Sequence, residues 1–173
     1  MKELILGGVR SGKSRLAEQR ARDSGLQVVY IATARAAGDT ELDERIRQHR
    51  LRRPAAWTVV EEPLALEQAL RAHASVHRCL VVECLTLWLT NLLCTAADRF
   101  ERERLSLLNT LPALAGDIVL VSNETGLGVV PLGVLSRRFV DASGELHQGL
   151  ATICDRVTLA VAGLAFLLKG PPT

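Results

Sequence analysis

The chain has 173 residues, 48% of them hydrophobic, and its 21 basic and 19 acidic residues leave a formal net charge of +2. This length and apolar content suit a single domain, residues 1–173, with a sizeable core, and they exclude a disordered chain. The near balance of charge excludes a general nucleic-acid binder, so any cluster of arginines is a local feature.

The cysteines and the apolar runs predict a soluble cytoplasmic protein. The four cysteines are Cys79, Cys84, Cys94 and Cys154. They show no C-x-x-C spacing and lie mostly in apolar runs, so we expect reduced thiols and neither metal ligands nor disulfides. The early apolar run ELILGG is too short for a signal peptide. No window holds 18 apolar residues, so we expect no membrane insertion.

Six short apolar runs predict strands. They span residues 4–6, 28–32, 58–60, 79–83, 117–122 and 157–162. Most are continuously apolar, which is typical of strands covered on both faces of a sheet. The last run continues as VTLAVAGLAFLLK, which predicts a hairpin that turns at Gly163 and adds an edge to the sheet.

Helical patterns lie between the predicted strands. They cover residues 13–23, 41–52, 64–75, 85–113 with a break near Ala96, 131–139 and 144–154. Glu62 followed by Pro63 predicts a helix entry, because proline loses no hydrogen bond at the first helical position. The alternation of strand and helix predicts a three-layer α/β/α domain with a mainly parallel sheet and helices on both faces.

The strongest motif, GGVRSGKS, follows the first predicted strand and fits G-x-x-x-x-G-K-[ST] at every fixed position. Its residues are Gly7, Gly8, Val9, Arg10, Ser11, Gly12, Lys13 and Ser14. The glycines let backbone N–H groups turn towards phosphate oxygens at a helix N-terminus. Lys13 then reaches the β- and γ-phosphates, and Ser14 offers its hydroxyl to Mg²⁺. We therefore expect a P-loop NTPase-like fold that binds a nucleoside triphosphate.

An acidic residue ends the fourth predicted strand. In CLVVECLT, Glu83 follows four apolar residues and is expected to emerge at the carboxyl edge of the sheet. A P-loop needs a carboxylate at the end of a second strand to hold the metal, directly or through water. Burying an acid there is costly unless it faces a cation, which favours a metal-binding role over a surface acid.

Residues 45–54, RIRQHRLRRP, place five arginines around His49. On a helix, Arg45 lies one turn before the histidine, and Arg52 and Arg53 lie one turn after it. Nearby like charge disfavours imidazolium, and neutral imidazole has the lone pair needed to attack phosphorus. The guanidinium groups can also take up charge on a triphosphate. A solvated basic face and a packed structural histidine remain alternatives.

These segments together resemble the bifunctional adenosylcobinamide kinase / adenosylcobinamide-phosphate guanylyltransferase family of cobalamin biosynthesis. The resemblance is carried by GGVRSGKS, YIATA, DERIRQHRLRRPAAWTVVEEP, VECLTLWLTNLL, VSNETGLGVVP and AGLAFLLK. The P-loop is shared with many unrelated enzymes. The arginine-ringed His49 and the segment SNETGLGVVP are far more specific.

The resemblance implies two activities. The enzyme phosphorylates the aminopropanol hydroxyl of adenosylcobinamide with ATP or GTP, and then transfers GMP from GTP to that phosphate through a guanylyl-histidine. The guanylylated residue corresponds to His49. Besides the P-loop, the implied GTP contacts are Ala32, Thr33, Ala34, Arg50, Leu51, Arg52, Arg53, Glu61 and Glu83. The family also implies a homotrimer with the corrinoid bound between subunits.

Three parts of the chain carry weaker predictions. Asn123 and Glu124 begin the loop after strand 117–122, where they either contact substrate or form a plain turn. His147 stands where the family often carries asparagine. The spacing of His73 and His77 suits a metal, but no third ligand accompanies them, so we expect surface residues.

Two rival functions remain open at this point. One is a plain P-loop kinase of a small metabolite, in which the arginines form a phosphate-binding lid. The other is a non-catalytic nucleotide switch, in which hydrolysis drives a conformational change. Covalent retention of label from α-labelled GTP favours the guanylyltransferase, and consumption of cobinamide excludes the switch.

Overall fold

The computed structural model describes residues 1–35, 44, 47, 54–95 and 99–171. The predicted helix 41–52 falls almost wholly outside these residues, and so does the break predicted near Ala96.

All six predicted strands and the hairpin are confirmed. The strands are β1 Lys2–Gly7, β2 Gln27–Ala32, β3 Thr58–Glu61, β4 Arg78–Glu83, β5 Asp117–Asn123, β6 Arg156–Val161 and β7 Leu164–Lys169. They form one sheet in the order β3-β2-β4-β5-β1-β6-β7. Every pair is parallel except β6 with β7, which is antiparallel and turns at Ala162 and Gly163. The parallel strands therefore end together at one edge of the sheet.

Five α-helices and a short 3₁₀ turn connect the strands in the described part of the chain. They are α1 Lys13–Asp23, α2 Leu66–His73, α3 Leu85–Leu93, α4 Arg99–Thr110, the 3₁₀ turn Leu111–Ala113 and α5 Val134–Ile153. The bounds of α1 match the prediction. Helix α2 begins later than predicted because the Glu62 carboxylate accepts the N–H groups of Leu64 and Ala65 at 2.8 and 2.7 Å, which holds a turn before the helix.

The prediction of two helices over 131–139 and 144–154 is wrong, since α5 is one helix of 20 residues. Glycine in a helix interior costs about 1 kcal/mol relative to alanine, and Gly144 lies inside α5. The helix continues because its inner face buries Ala142, Leu146 and Leu150. Burying one leucine side chain contributes about 1.5–3 kcal/mol, which exceeds the cost of the glycine.

The strands separate two cores by alternating their side chains between the two faces of the sheet. On one face, Leu4 and Leu6 of β1 join the cluster that packs under α2 to α5. On the other face, Ile5 packs with Ala17 and Ala21 of α1. The predicted three-layer arrangement is thus confirmed, and the described helices are distributed four to one between the faces.

Two further expectations can be compared with the structure. The four cysteines are free thiols, two of them buried, as predicted. In the part of the chain that the structure describes, no helix combines the length and the apolar character that crossing a bilayer requires.

Gly116 provides a test of the backbone geometry before β5. Its φ is +80°, and a Cβ atom there would lie 2.5 Å from the Arg78 carbonyl oxygen and still closer to that of Ser75. Gly25 has φ +65° with nothing within 4 Å of a Cβ, so it is a matched control. We expect Gly25→Ala to lower the free energy of unfolding by about 1 kcal/mol through left-handed strain alone. Gly116→Ala adds a backbone clash, so its loss should be about 3 kcal/mol in urea denaturation. Equal losses would contradict the clash.

Candidate active site

The P-loop begins where β1 ends between two parallel neighbours. Gly7 is in register with Asn123 of β5 on one side and Ala160 of β6 on the other. A Cβ atom at Gly7 would lie 2.6 Å from the Ala160 carbonyl oxygen and still closer to Ser11 Oγ. The first glycine of the motif is therefore required by close packing. At the other end of the loop, Gly12 adopts φ +96° and caps α1, whose first residue is Lys13.

The turn of the C-terminal hairpin packs against the P-loop. The N–H of Gly163 donates to the Ser11 carbonyl oxygen at 2.9 Å. A Cβ atom at Gly12 would lie 3.1 Å from Gly163 Cα, so the two backbones pack closely. The sequence predicted the turn at Gly163 but not this contact, because nothing in a local pattern indicates which distant loop a hairpin touches.

Lys13 is held close to the loop that the motif forms. Its Nζ donates to the Gly8 carbonyl oxygen at 3.0 Å, and the side chain is largely buried. Burial lowers the pKa of Lys13, while Cys84 and Glu83 oppose that shift. A phosphate group at the loop would add the negative charge that most favours the ammonium form.

Glu83 lies beside the P-loop, as predicted. The Ser14 hydroxyl donates to Glu83 Oε1, and the Tyr30 hydroxyl donates to Oε2 at 2.7 Å. Ser14 and Glu83 thus bring a hydroxyl and a carboxylate oxygen to one point next to Lys13. Hard oxygen ligands of this kind, with phosphate oxygens and water, suit Mg²⁺. Within the described ranges, no three His, Cys, Asp or Glu side chains cluster closely enough to hold a metal themselves.

The segment after β2 is fixed against the segment after β4. Ala32 is in register with Glu61 on one side and Glu83 on the other. The Thr33 hydroxyl donates to the Cys84 carbonyl oxygen at 2.7 Å and accepts the Cys84 N–H at 2.9 Å. Ala32 and Thr33 are buried, Ala34 is half-buried and Glu61 is exposed. The structure thus brings these residues to the same edge of the sheet as the P-loop.

The arginine cluster cannot be placed in the same way. Outside the described residues lie His49, Arg45, Arg50, Leu51, Arg52 and Arg53.

His77, with His73, belongs to the opposite edge of the sheet, because the His77 carbonyl oxygen accepts the N–H of Gln27 where β2 begins.

A polar cluster that the sequence did not predict lies at the end of β5. His147 of α5 is buried, and its Nε2 lies 2.8 Å from Ser122 Oγ. Its Nδ1 lies 3.8 Å from Glu124 Oε2. Burial lowers the pKa of His147, and the nearby Glu124 carboxylate opposes that shift. The signal in the sequence was a polar pair, Asn123 and Glu124, directly after a buried strand.

Comparison with known proteins agrees with this geometry. Residues 3–168 match the family model described as cobinamide kinase / cobinamide phosphate guanyltransferase. The chain is 62% identical over 173 residues to the bifunctional adenosylcobalamin biosynthesis protein CobP of Pseudomonas aeruginosa strain PAO1, covering 99% of both chains. It is 36% identical over 180 residues to the bifunctional adenosylcobalamin biosynthesis protein CobU of Escherichia coli K12, covering 96% of this chain and 98% of the relative.

Among solved structures, the chain is similar in fold to a prototypical ATPase from the type III secretion system of pathogenic bacteria. The TM-score is 0.55 at 14% sequence identity, with 96% of this chain and 56% of the ATPase covered. This likeness agrees with the P-loop NTPase-like fold predicted from the motif.

Lys13→Ala tests whether the P-loop binds the nucleotide. Hydrogen bonds to charged groups contribute about 1.5–3 kcal/mol, so GTP affinity should fall roughly ten- to a hundredfold in titration calorimetry. Lys169→Ala is the control, because that exposed lysine donates to the Ala151 and Thr152 carbonyl oxygens at the end of α5. Unchanged affinity in Lys13→Ala would mean that GTP binds elsewhere.

Proposed function

The chain belongs to the cobinamide kinase / cobinamide phosphate guanyltransferase family, and on that basis we propose that it catalyses both reactions. In the first, ATP or GTP phosphorylates the aminopropanol hydroxyl of adenosylcobinamide. In the second, GMP from GTP is transferred to adenosylcobinamide phosphate, which gives adenosylcobinamide-GDP. One domain, residues 1–173, carries both reactions.

The observation that carries the proposal is the convergence of Lys13, Ser14 and Glu83 at the carboxyl edge of the sheet. Ser14 donates to Glu83, and Lys13 lies over the loop at Gly8. A P-loop cation, a hydroxyl and a strand-end carboxylate are the groups that manage charge in phosphoryl transfer. A nucleotide switch shares them, but the family match over residues 3–168 favours a transferase.

In the kinase step, the Ser14 hydroxyl and Glu83 would hold Mg²⁺, directly or through water. When bound, the ion would supply positive charge against the phosphates, as in other P-loop enzymes. Lys13 and the backbone N–H groups of Gly8 to Gly12 bind the same phosphates. These groups serve positioning and electrostatic stabilisation, which supply most of the catalysis in phosphoryl transfer.

In the guanylyl-transfer step, His49 attacks the α-phosphorus of GTP and forms the covalent intermediate. Arginines around it hold the imidazole neutral and take up charge on the departing pyrophosphate. The remaining GTP contacts are Ala32, Thr33, Ala34, Arg50, Leu51, Arg52, Arg53 and Glu61. The buried position of Thr33 and the edge position of Glu61 support the part of this set that the structure describes.

Assembly and location complete the proposal. The protein acts in the cytoplasm as a homotrimer, with the corrinoid bound between subunits. Exposed apolar side chains support subunit contact: Phe166 and Leu168 of β7 are 52% and 59% exposed, and Val129 and Leu132 after β5 are 98% and 94% exposed. Large exposed apolar surfaces of this kind mark interaction sites.

His49→Ala tests the covalent intermediate. Incubation with GTP labelled at the α-phosphate should leave wild-type protein with one covalent GMP, detected as a mass shift of the intact chain. The variant should retain no label, because no nucleophile remains at that position. Phosphorylation of adenosylcobinamide by ATP uses a different phosphorus, so it should persist.

The control is His77→Ala, since His77 is exposed at the opposite edge of the sheet and should leave the adduct unchanged. An adduct of full yield in His49→Ala would assign the nucleophile to another residue. Wild-type protein that phosphorylates adenosylcobinamide but never retains label would be a plain metabolite kinase.

Arg45→Gln and Arg52→Gln test why arginines surround the histidine. A depressed imidazole pKa keeps His49 neutral below the ordinary value of about 6.5, so wild-type adduct formation should persist there. Removing one like charge raises that pKa, so each variant should lose adduct formation at a higher pH than wild type as the pH falls. The profiles are measured at saturating GTP, and identical profiles would leave the arginines as phosphate ligands only.

A further inference from the structure

We propose that Glu124 is the general base of the kinase step and that His147 positions it. This inference rests on the proposed function, because it assigns a residue to the phosphorylation of an alcohol. It concerns the polar cluster at the end of β5, which consists of Thr86, Ser122, Glu124 and His147.

Glu124 lies next to the part of the P-loop that Lys13 contacts. Its backbone N–H donates to the Gly7 carbonyl oxygen at 3.0 Å. Lys13 Nζ donates to the adjacent carbonyl, that of Gly8, at 3.0 Å. The strand before Glu124, β5, is the direct neighbour of β1. The backbone of Glu124 therefore binds the carbonyl next to the one that Lys13 binds. The motif directs Lys13 to the β- and γ-phosphates.

The polar contacts behind Glu124 are compatible with one hydrogen-bond direction. Thr86 Oγ1 accepts the N–H of Asn123 at 2.7 Å and lies 3.5 Å from Ser122 Oγ. Ser122 Oγ lies 2.8 Å from His147 Nε2, and we assign the Ser122 hydroxyl as the donor in this contact. That bond leaves the ring proton on Nδ1, which faces Glu124 Oε2 at 3.8 Å. The cluster thus presents a donor to the carboxylate.

Burial supports the neutral, singly protonated ring that this direction requires. His147 is 7% exposed, and its burial lowers its pKa despite the nearby Glu124 carboxylate. A buried ring cannot itself reach an acceptor molecule as large as a corrinoid. Glu124 can, since its side chain remains 21% exposed. His147 is therefore a positioning residue, and Glu124 is the group that meets substrate.

The other acids at this edge are less suited to the role. Glu83 accepts the Ser14 hydroxyl, and these two groups are the proposed metal ligands, so Glu83 already has another role in the kinase step. Glu61 ends β3, which three strands separate from β1. Glu124 Oε1 accepts the N–H of Gly126 at 2.6 Å, which orients the carboxylate without protonating it.

The step balances without a further reactant. The hydroxyl proton of the alcohol passes to a Glu124 carboxylate oxygen as the alcohol oxygen forms a bond to the γ-phosphorus. The bond between the γ-phosphorus and the β–γ bridging oxygen breaks, and its electron pair leaves with the nucleoside diphosphate. General base catalysis of this kind contributes about 10²- to 10⁴-fold to rate.

Glu124→Gln tests the base, because glutamine keeps the shape and can accept the His147 proton but is not basic. The kinase rate is measured as transfer of the γ-phosphate of ATP to adenosylcobinamide in a single turnover. It should fall at least about 100-fold. GMP adduct formation from α-labelled GTP, measured without corrinoid, involves no alcohol and should stay within about twofold. Glu145→Gln, an exposed acid two residues from His147, is the control and should leave both rates unchanged.

The other possible results distinguish a wrong assignment of Glu124 from a wrong proposed function. A smaller kinase loss in Glu124→Gln overturns the assignment and leaves the proposed function in place. Parallel loss of both activities also overturns it, since Glu124 would then belong to nucleotide binding. Wild-type protein that neither phosphorylates adenosylcobinamide nor forms an adduct would instead disprove the proposed function itself.

His147→Asn and His147→Leu test the positioning role. Asparagine can place its amide N–H near the position of Nδ1, whereas leucine fills similar space with no donor. The leucine variant should lose about tenfold in kcat for the kinase step with little change in KM, and asparagine should restore most of it. Equal kcat values in the two variants would show that His147 only fills space.

Discussion

The arrangement of the site depends on β1 lying between β5 and β6 in parallel register up to Gly7. Because β5 and β6 end at the same level as β1, the loops that follow these three strands begin close together. One is the P-loop, one begins with Glu124, and one is the hairpin turn whose Gly163 donates to Ser11. The space at this point is so small that a Cβ at Gly7 would clash with Ser11 and Ala160. Backbone packing therefore determines where a phosphate can bind before any charged group contributes.

Charge at the site follows from the same geometry. Lys13 is largely buried, and an isolated ammonium in such a position is costly. The Gly8 carbonyl oxygen and the nearby Glu83 compensate for part of that cost. Glu83 in turn accepts hydroxyl protons from Ser14 and Tyr30. Each charged group is thus held by partners that leave it directed towards the loop, which limits the rearrangement needed when a triphosphate binds.

The sequence predicted those features that depend on local pattern. Continuous apolar runs indicated the strands, and the P-loop signature together with its flanking elements indicated where Lys13 and Ser14 lie. The position of Glu83 at the carboxyl edge of the sheet was predicted because burying an acid directly after four apolar residues is costly unless it faces a cation. The prediction of two helices over 131–139 and 144–154 was wrong because helix propensity is local, whereas the burial of Leu146 and Leu150 that stabilises α5 is a tertiary effect. The contacts of His147 with Ser122 and Glu124 join residues more than 20 positions apart, so no local pattern could indicate them.

The strand order also bears on how one nucleotide site can serve two reactions. Strand β4, which ends at Glu83, lies between β2 and β5. In the chain, the segment that contains His49 follows β2, and Glu124 follows β5. On the proposed function, Glu83 would hold the metal. Glu83 therefore lies between the strand that precedes the His49 segment and the strand that precedes Glu124. The two proposed reactions act on different phosphorus atoms of one triphosphate, the γ-phosphorus in the kinase step and the α-phosphorus in guanylyl transfer. One P-loop can then serve both proposed steps, while the identity of the attacking group decides which bond breaks.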